Sequence, residues 1–473
     1  MLLSLHILNT TFLDIIQGDS MTVTVVNDDK KIFSRLLGII GISFILPEYI
    51  TPFFVFFFYI PFLFHFKKTG RNAKIGNLGK AFMAYMSYMI ISGIWSKTHI
   101  LSSLIGLLWM GCFLFYIEIA NTVNTKDKLK NAISALNISS GVIGLVAVLE
   151  FVTYNLTKYL DGFNFTISNP LYYNLNDWIF GLFPFEIINS PYPSRAAATF
   201  DNPLILATFL IITTPFCAFS SVYFKQSKHR KLSRVCFAFS LLGILCTESR
   251  GAYIAIALSL ITLLISNKKI FKKLLPFMFV LAVGIPLTIA LRYKNNSSGN
   301  EFLASNNNRF AIWQVCTKLF KEHWFVGMGA GTENIHQEII ARIGINRTHA
   351  HNLFLEIATE GGIVGIILAA VIVIVFAKNL FKLFYLKNNA YRPYAVLYTS
   401  AIIGFITMSL YEHTLQSPKE MMIFFALLGF AEATLRMAEG NIQLSPDEEN
   451  IFEEFTEEDY ITDEDEEKEL IAK

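Results

Sequence analysis

From residue 33 to residue 437 the chain repeats one pattern, an apolar run followed by a short polar connector. The runs approach the roughly 20 apolar residues that carry an α-helix across a hydrocarbon core. Read by length and flanking charge, they predict about twelve spans. These are 33–47, 51–66, 78–95, 101–120, 132–154, 203–224, 235–247, 252–266, 274–291, 353–377, 394–410 and 421–435. The expected fold class is all-α, a polytopic helical membrane protein.

Composition agrees with this. Of 473 residues, 53% are hydrophobic and 16% are charged, where a soluble domain carries about 25% charged residues. The net charge of +2 hides an uneven distribution. Basic residues cluster at Lys30/Lys31/Arg35, Lys67/Lys68/Arg71/Lys74, Lys126/Lys128/Lys130, Lys225/Lys228/Arg230/Lys231/Arg234, Lys268/Lys269/Lys272/Lys273 and Lys378/Lys382/Lys387/Arg392. With twelve spans every cluster falls on one side. The positive-inside rule makes that side the cytoplasm and puts both termini there. Residues 1–32 then form an N-terminal cytoplasmic segment and 33–437 the transmembrane domain. Residues 438–473, almost purely acidic from Asp447 to Glu469, form a cytoplasmic tail expected to be disordered. Nothing in the balance points to nucleic acid. Cys112, Cys217, Cys236 and Cys246 lie in apolar runs, so Cys316 has no extracytoplasmic disulfide partner. No cationic stretch followed by a small-residue cleavage site opens the chain, so no cleavable signal peptide is expected; Met21 is an alternative start.

The outer face has two long segments, 155–202 and 292–352, the second between spans 9 and 10. Connections of this length are usually functional or disordered. The second is aromatic and glycine-punctuated ("FKEHWFVGMGAG"), which predicts an ordered, helical, membrane-hugging segment.

Several charges then stand on the side where short loops disfavour them. Arg195 precedes the sixth span, and Arg250 sits in "TESRGAY" at the outer end of a hairpin. Arg309, Arg342 and Arg347 lie in the long outer segment, and His349 and His351 open the tenth span. Taken singly, an outer arginine snorkels to lipid phosphate or pairs locally, as Arg250 does with Glu248. "GMGAG" is a weak phosphate loop, because no strand precedes it and no GK[ST] follows. Two histidines two positions apart do not share a helical face, so no metal pair is expected. Glu356 and Glu360, at i and i+4, form a candidate carboxylate pair, or a local cap before "GG". Taken together, guanidiniums and an imidazole at one mouth suit an anionic substrate with a hydroxyl to deprotonate. Arg342 and Arg347 are expected only to make the surface electropositive.

Four stretches, "SRAAATFDNPLILATFL", "TESRGAYIAIAL", "NNRFAIWQVCTKLFKEHWFVGMGAG" and "THAHNLFLEIATEGGIVGI", resemble the O-antigen ligase and polymerase superfamily in order and spacing. That superfamily includes lipopolysaccharide O-antigen ligases, Wzy-type polysaccharide polymerases and protein O-oligosaccharyltransferases. The motifs cover residues 195–366. The resemblance implies a GT-C-like helical fold and a site on the outer face of the cytoplasmic membrane. It implies transfer or polymerisation of an undecaprenyl-pyrophosphate-linked glycan onto a glycan, lipid or protein, without metal, nucleotide sugar or other cofactor. Arg195, Arg250 and Arg309 would bind the pyrophosphate and His351 would be the base. His349, Asn352 and Glu360 are secondary candidates, and polysaccharide-assembly proteins are possible partners. The competing class is a polysaccharide or lipid-glycan transporter. Such a protein places its binding residues near the midplane, on broken helices in repeated halves.

Overall fold

The computed structural model describes residues 19–46, 50–69, 72–161, 195–224, 226–266, 276–277, 279, 281–287, 299–386 and 389–440. Among these the chain is helical, with no β-strand. The helices are α1 Asp19–Gly38, α2 Thr51–Lys68, α3 Gly76–Ile91, α4 His99–Thr122, α5 Lys126–Asp161, α6 Pro203–Tyr223 and α7 Ser227–Cys246. They continue as α8 Arg250–Ser266, α9 Gly299–Glu322, α10 Thr332–Ile343, α11 Leu353–Tyr385, α12 Arg392–Ser409 and α13 Pro418–Ala438. Five of them (α4, the 126–153 part of α5, α6, α11 and α13) are long and apolar enough to cross a membrane. Helix lies under every predicted span, the ninth being described only in part. The first predicted span is not one straight helix, since α1 gives way to a π-helical turn at Ile39–Ser43. The acidic tail beyond residue 440 and most of the 155–202 segment lie outside the described residues.

The bundle is built around α6 and α13, whose apolar windows are 94% and 89% buried, whereas that of α11 is 11% buried and forms the periphery. Small residues let the inner helices approach. A Cβ on Gly144 of α5 would collide with the carbonyl of Phe239 on α7, and one on Gly243 would lie 2.9 Å from the Gly144 Cα. At this crossing Ser140 bonds Thr213 at 2.7 Å and Ser240 at 2.8 Å, joining three helices by hydroxyls, as small and polar side chains do in apolar surroundings. Outside the bundle, α9 and α10 form a smaller unit with its own core of Ile312, Val315, Cys316, Leu319, Met328, Ile335 and Ile339. These two helices make up most of the described part of residues 299–352.

Four helices start at one end of the bundle, each capped by a polar side chain. Asn202 accepts from Leu204 N at 2.8 Å, and Ser249 from Ala252 N at 3.3 Å. Asn352 accepts from Leu355 N at 3.0 Å. Ser417 and Glu420 form a reciprocal capping box at α13. Such caps satisfy amides that the first helical turn leaves open. This end is where the candidate residues meet.

Candidate functional site

The segment carrying Arg195 is fixed from three directions. Ala196 N donates to Cys246 O at 3.0 Å, and Arg195 Nε to Thr247 O at 2.8 Å. The Glu150 carboxylate of α5 accepts from Ala197 N at 3.0 Å and Ala198 N at 2.6 Å. Lys419, fully buried at the start of α13, donates to Thr199 O at 2.7 Å and lies 4.0 Å over the Phe200 ring. Arg195 is thereby seated against the 247–250 turn, and Arg250 opens α8 from that turn. Gly251, next in the chain, packs on Tyr411, so close that a Cβ there would lie 3.1 Å from the Tyr411 Cβ. The loop between α12 and α13 thus comes up beside Arg250.

That loop carries Glu412, which is fully buried. Its Oε1 lies 2.9 Å from His351 Nδ1 and 3.4 Å from His349 Nδ1, and it also accepts from His413 N at 3.2 Å. Its Oε2 stands 3.8 Å from the Arg309 guanidinium. Trp313, one turn beyond Arg309 on α9, donates from its indole to Ala350 O at 2.9 Å, which docks α9 on the histidine segment. Asn352 donates to Leu410 O at 3.2 Å while capping α11. The candidates therefore converge in a contiguous order: Arg195, the Arg250 turn, the Tyr411–His413 loop, His351 with His349, then Arg309.

Backbone strain marks the same segments. Among the described residues three non-glycine positions have positive φ: Ala198 at 51°, Glu248 at 49° and His351 at 52°. Each falls in one of the segments bearing Arg195, Arg250 or His351. Such conformations cost on the order of 1 kcal/mol or more and persist where the surroundings impose them, often at functional sites. The turn at His351 also corrects the expectation about the two histidines. Neither lies on a helix, and the reversal brings their rings to 4.2 Å centroid separation, both facing Glu412.

Burial lowers the His349 imidazole to about 3 against the opposing pull of Glu412, and lowers His413 to about 4. Burial works to raise the Glu412 carboxyl, but His351, His349 and Arg309 outweigh it and hold the group below the ordinary carboxylate range. Glu412 is thus an ionised carboxylate beside two neutral, buried imidazoles, those of His349 and His413. His349 Nδ1, His351 Nδ1 and a Glu412 oxygen lie within 4.8 Å of one another, a donor set that zinc accepts. The arrangement fits a metal poorly. His349 Nδ1 already accepts the His351 backbone N–H at 3.2 Å, and the Arg309 guanidinium holds a permanent positive charge beside the same carboxylate.

The glycine-rich segment has another job than holding phosphate. Met328 N donates to Thr359 O, Gly329 N to Glu360 O and Gly327 N to His323 O. Ala330 N is taken by Ser92 Oγ at 2.8 Å and Gly331 N by Glu360 Oε1 at 2.9 Å. Each of these five amides is bonded within the protein. They seat the segment in a break of α11, where Gly362 has φ 59° and ψ −157°. Glu360 is accordingly a tie to that segment. Glu356 Oε2 accepts from Ala350 N at 2.7 Å, directly behind the histidines. Arg342 is spent on Glu322 (2.8 and 2.6 Å) and Glu338 (2.9 Å), away from the cluster.

Sequence reasoning passed over Glu412, His413 and Lys419, although "YEHTLQSPKE" crowds charged and titratable residues into one short connector between apolar runs.

Residues 235–370 match the O-antigen ligase family. The chain is also similar to the ComP-specific O-oligosaccharyltransferase of Acinetobacter baylyi, with 25% identity over 224 residues. That similarity covers 45% of this chain and 40% of the relative's length. The family interval includes Arg250, Arg309, His349, His351 and Glu360; Arg195 precedes it and Glu412 follows it.

Proposed function

We propose that this chain, a member of the O-antigen ligase superfamily, is a membrane glycosyltransferase that takes its glycan from an undecaprenyl-pyrophosphate-linked donor and transfers or polymerises it. The observation that carries the reading is the convergence of Arg195, Arg250, Arg309 and His351 at the end of the bundle where four helices begin. Helix N-termini and guanidiniums both favour anions, the first through the aligned peptide dipoles and the second through forked, permanently charged hydrogen bonding. A diphosphate is the anion of matching charge. In the reaction the acceptor hydroxyl gives its proton to His351, and its oxygen bonds to the anomeric carbon. The bond from that carbon to the pyrophosphate breaks, and the electron pair leaves with the arginine-held pyrophosphate. This chemistry asks nothing of a metal.

The whole 33–437 region forms this unit, with about twelve spans in a GT-C-like arrangement. Its site faces outward across the cytoplasmic membrane, and both termini lie in the cytoplasm. The alternating basic loops support the orientation. Transfer to protein is the second reading, favoured by the relative that is an O-oligosaccharyltransferase.

The test is glycan transfer in membranes containing Arg250→Ala, Arg250→Lys or His351→Ala protein at parental levels. Each is expected to lose product, lysine included because it keeps the charge and loses the fork. Full product from Arg250→Ala and His351→Ala overturns the reading. Pulse-chased glycan label that lengthens on lipid marks a polymerase; label that moves to protein marks the second reading.

A further inference from the structure

We infer that Glu412 is the positioning residue of this site: it fixes which nitrogen of His351 is basic and restrains the ring, with Arg309 balancing its charge. The inference rests on the assignment of His351 as the base. It begins from hydrogen-bond chemistry. An ionised carboxylate only accepts, so the 2.9 Å contact from Glu412 Oε1 requires the proton of neutral His351 to sit on Nδ1. The lone pair then lies on Nε2, on the opposite edge of the ring. His349, two residues earlier, is arranged the other way. Its Nδ1 accepts the His351 backbone N–H, so its proton sits on Nε2, and the ring is buried. Of the two imidazoles in "THAH", one is therefore held as a base and the other serves as packing beside it.

Among the described residues, the charged and titratable groups found against this pair belong to the same arrangement. His349 lies against His351, with Glu412 behind both. Arg309 comes from α9 to the far oxygen of Glu412. His413 has its ring 5.9 Å from that of His349 and its Nδ1 3.9 Å from Glu356 Oε1 of α11. When the base takes a proton, Glu412 faces a new imidazolium at hydrogen-bond distance, so the charge formed in the transition state meets a counter-ion already in place. A carboxylate behind a catalytic histidine has this role in serine proteases, where replacing it by the amide lowers turnover about 10⁴-fold by stabilising the wrong tautomer.

The experiment compares Glu412→Gln, Glu412→Asp and Glu412→Ala in full-length protein, with membrane level and thermal melt recorded. Glutamine keeps the shape but can present N–H to Nδ1. Aspartate is a methylene shorter but keeps the charge and the accepting character. Positioning through charge predicts that Glu412→Asp retains more turnover than Glu412→Gln. It also predicts a kcat loss of roughly 10²-fold or more in the glutamine variant with little change in donor KM, and an acid limb of its pH–rate profile moved to lower pH. A purely structural role reverses the order, because glutamine fits the space better. Near-parental turnover and an unmoved acid limb in Glu412→Gln, with His351→Ala inactive, overturn the inference alone. An active His351→Ala overturns the reading beneath it. Where Glu412→Ala fails to accumulate, the other two variants carry the comparison.

Discussion

Adding a methyl group at Gly362 tests one of the contacts that hold the α9–α10 unit to the bundle. Gly362 has φ 59° and ψ −157°, a region that residues with a Cβ scarcely enter, and forcing alanine there costs on the order of 1–3 kcal/mol. The new Cβ would stand 2.5 Å from Phe325 O and 2.6 Å from Gly327 N, both backbone atoms that cannot rotate aside. Separating the two strands of chain strains the bonds across them: Ile363 N to Trp324 O at 2.8 Å, Val364 N to Phe325 O at 3.3 Å, and Met328 N to Thr359 O and Gly329 N to Glu360 O at 3.0 Å. An unpaired buried amide costs about 1–3 kcal/mol, so losing two of these together with the backbone strain gives a penalty of roughly 3–9 kcal/mol. Gly344→Ala separates the two terms. Gly344 caps α10 at φ 67°, with nothing within 4 Å of its would-be Cβ, so only the left-handed conformation is penalised, by about 1–2 kcal/mol. Tryptophan-fluorescence melts in detergent should place Gly362→Ala well below Gly344→Ala. Gly365→Ala, at ordinary contact distances of 3.5 and 3.9 Å, should stay near the parent. Transfer activity should fall in the first alone, because the contact sets α9, and with it Arg309, against the histidine segment. Equal melts for Gly362→Ala and Gly344→Ala would refute the reasoning.

Acid should destabilise the site. His349 and His413 are held neutral by burial, at about 3 and about 4, below the ordinary 6.5, so their contribution is intact above pH 6.5, declines as pH falls below it, and is gone once pH has passed those lowered values. Glu412, lowered as well, adds in the same sense below about pH 4.5. Between pH 7.5 and 5.5 each histidine accounts for about 1 kcal/mol of lost stability; His413→Gln should show a shallower decline in melts across that range, and a parallel decline would refute the assignment. Glu150→Ala removes the acceptor of two backbone amides, Ala197 N and Ala198 N, at about 2–6 kcal/mol of local stability. Its signature should be a raised donor KM, measured in a transfer assay, as Arg195 loses its seat; an unchanged KM would count against that path.

Helix positions were legible because apolar run length and flanking charge are local properties. The run at 203–224 is α6 to within a residue, and Pro203 and Pro418 open their helices where proline's missing amide is harmless. The convergence of Arg195, Arg250, Arg309 and His351 was legible from a different signal, cations standing where short outer loops disfavour them. What escaped was anything set by backbone reversal. Spacing arithmetic kept His349 and His351 apart because it assumed a helix, and a single φ of 52° at His351 brings them together. "GMGAG" was already weak as a phosphate loop, but where its amides go instead, to Thr359, Glu360, His323 and Ser92, was not legible from the string.

Glu412 shows why charge in a connector was noticed in one place and missed in another. An outer arginine is conspicuous because it violates the positive-inside rule, whereas a glutamate violates nothing, since acidic residues contribute little to orientation. Yet a fully buried carboxylate beside the membrane costs far more than an exposed arginine, several kcal/mol before its partners compensate it. The compensation comes from His351, the His413 amide and Arg309, three groups from three separate segments. A carboxylate so placed cannot be neutral decoration of a turn: deleting one partner leaves the charge underpaid, and deleting the charge releases all of them at once. The physical expectation is that the loop between α12 and α13, lying beyond the interval matched to the family, governs the arrangement of residues inside it.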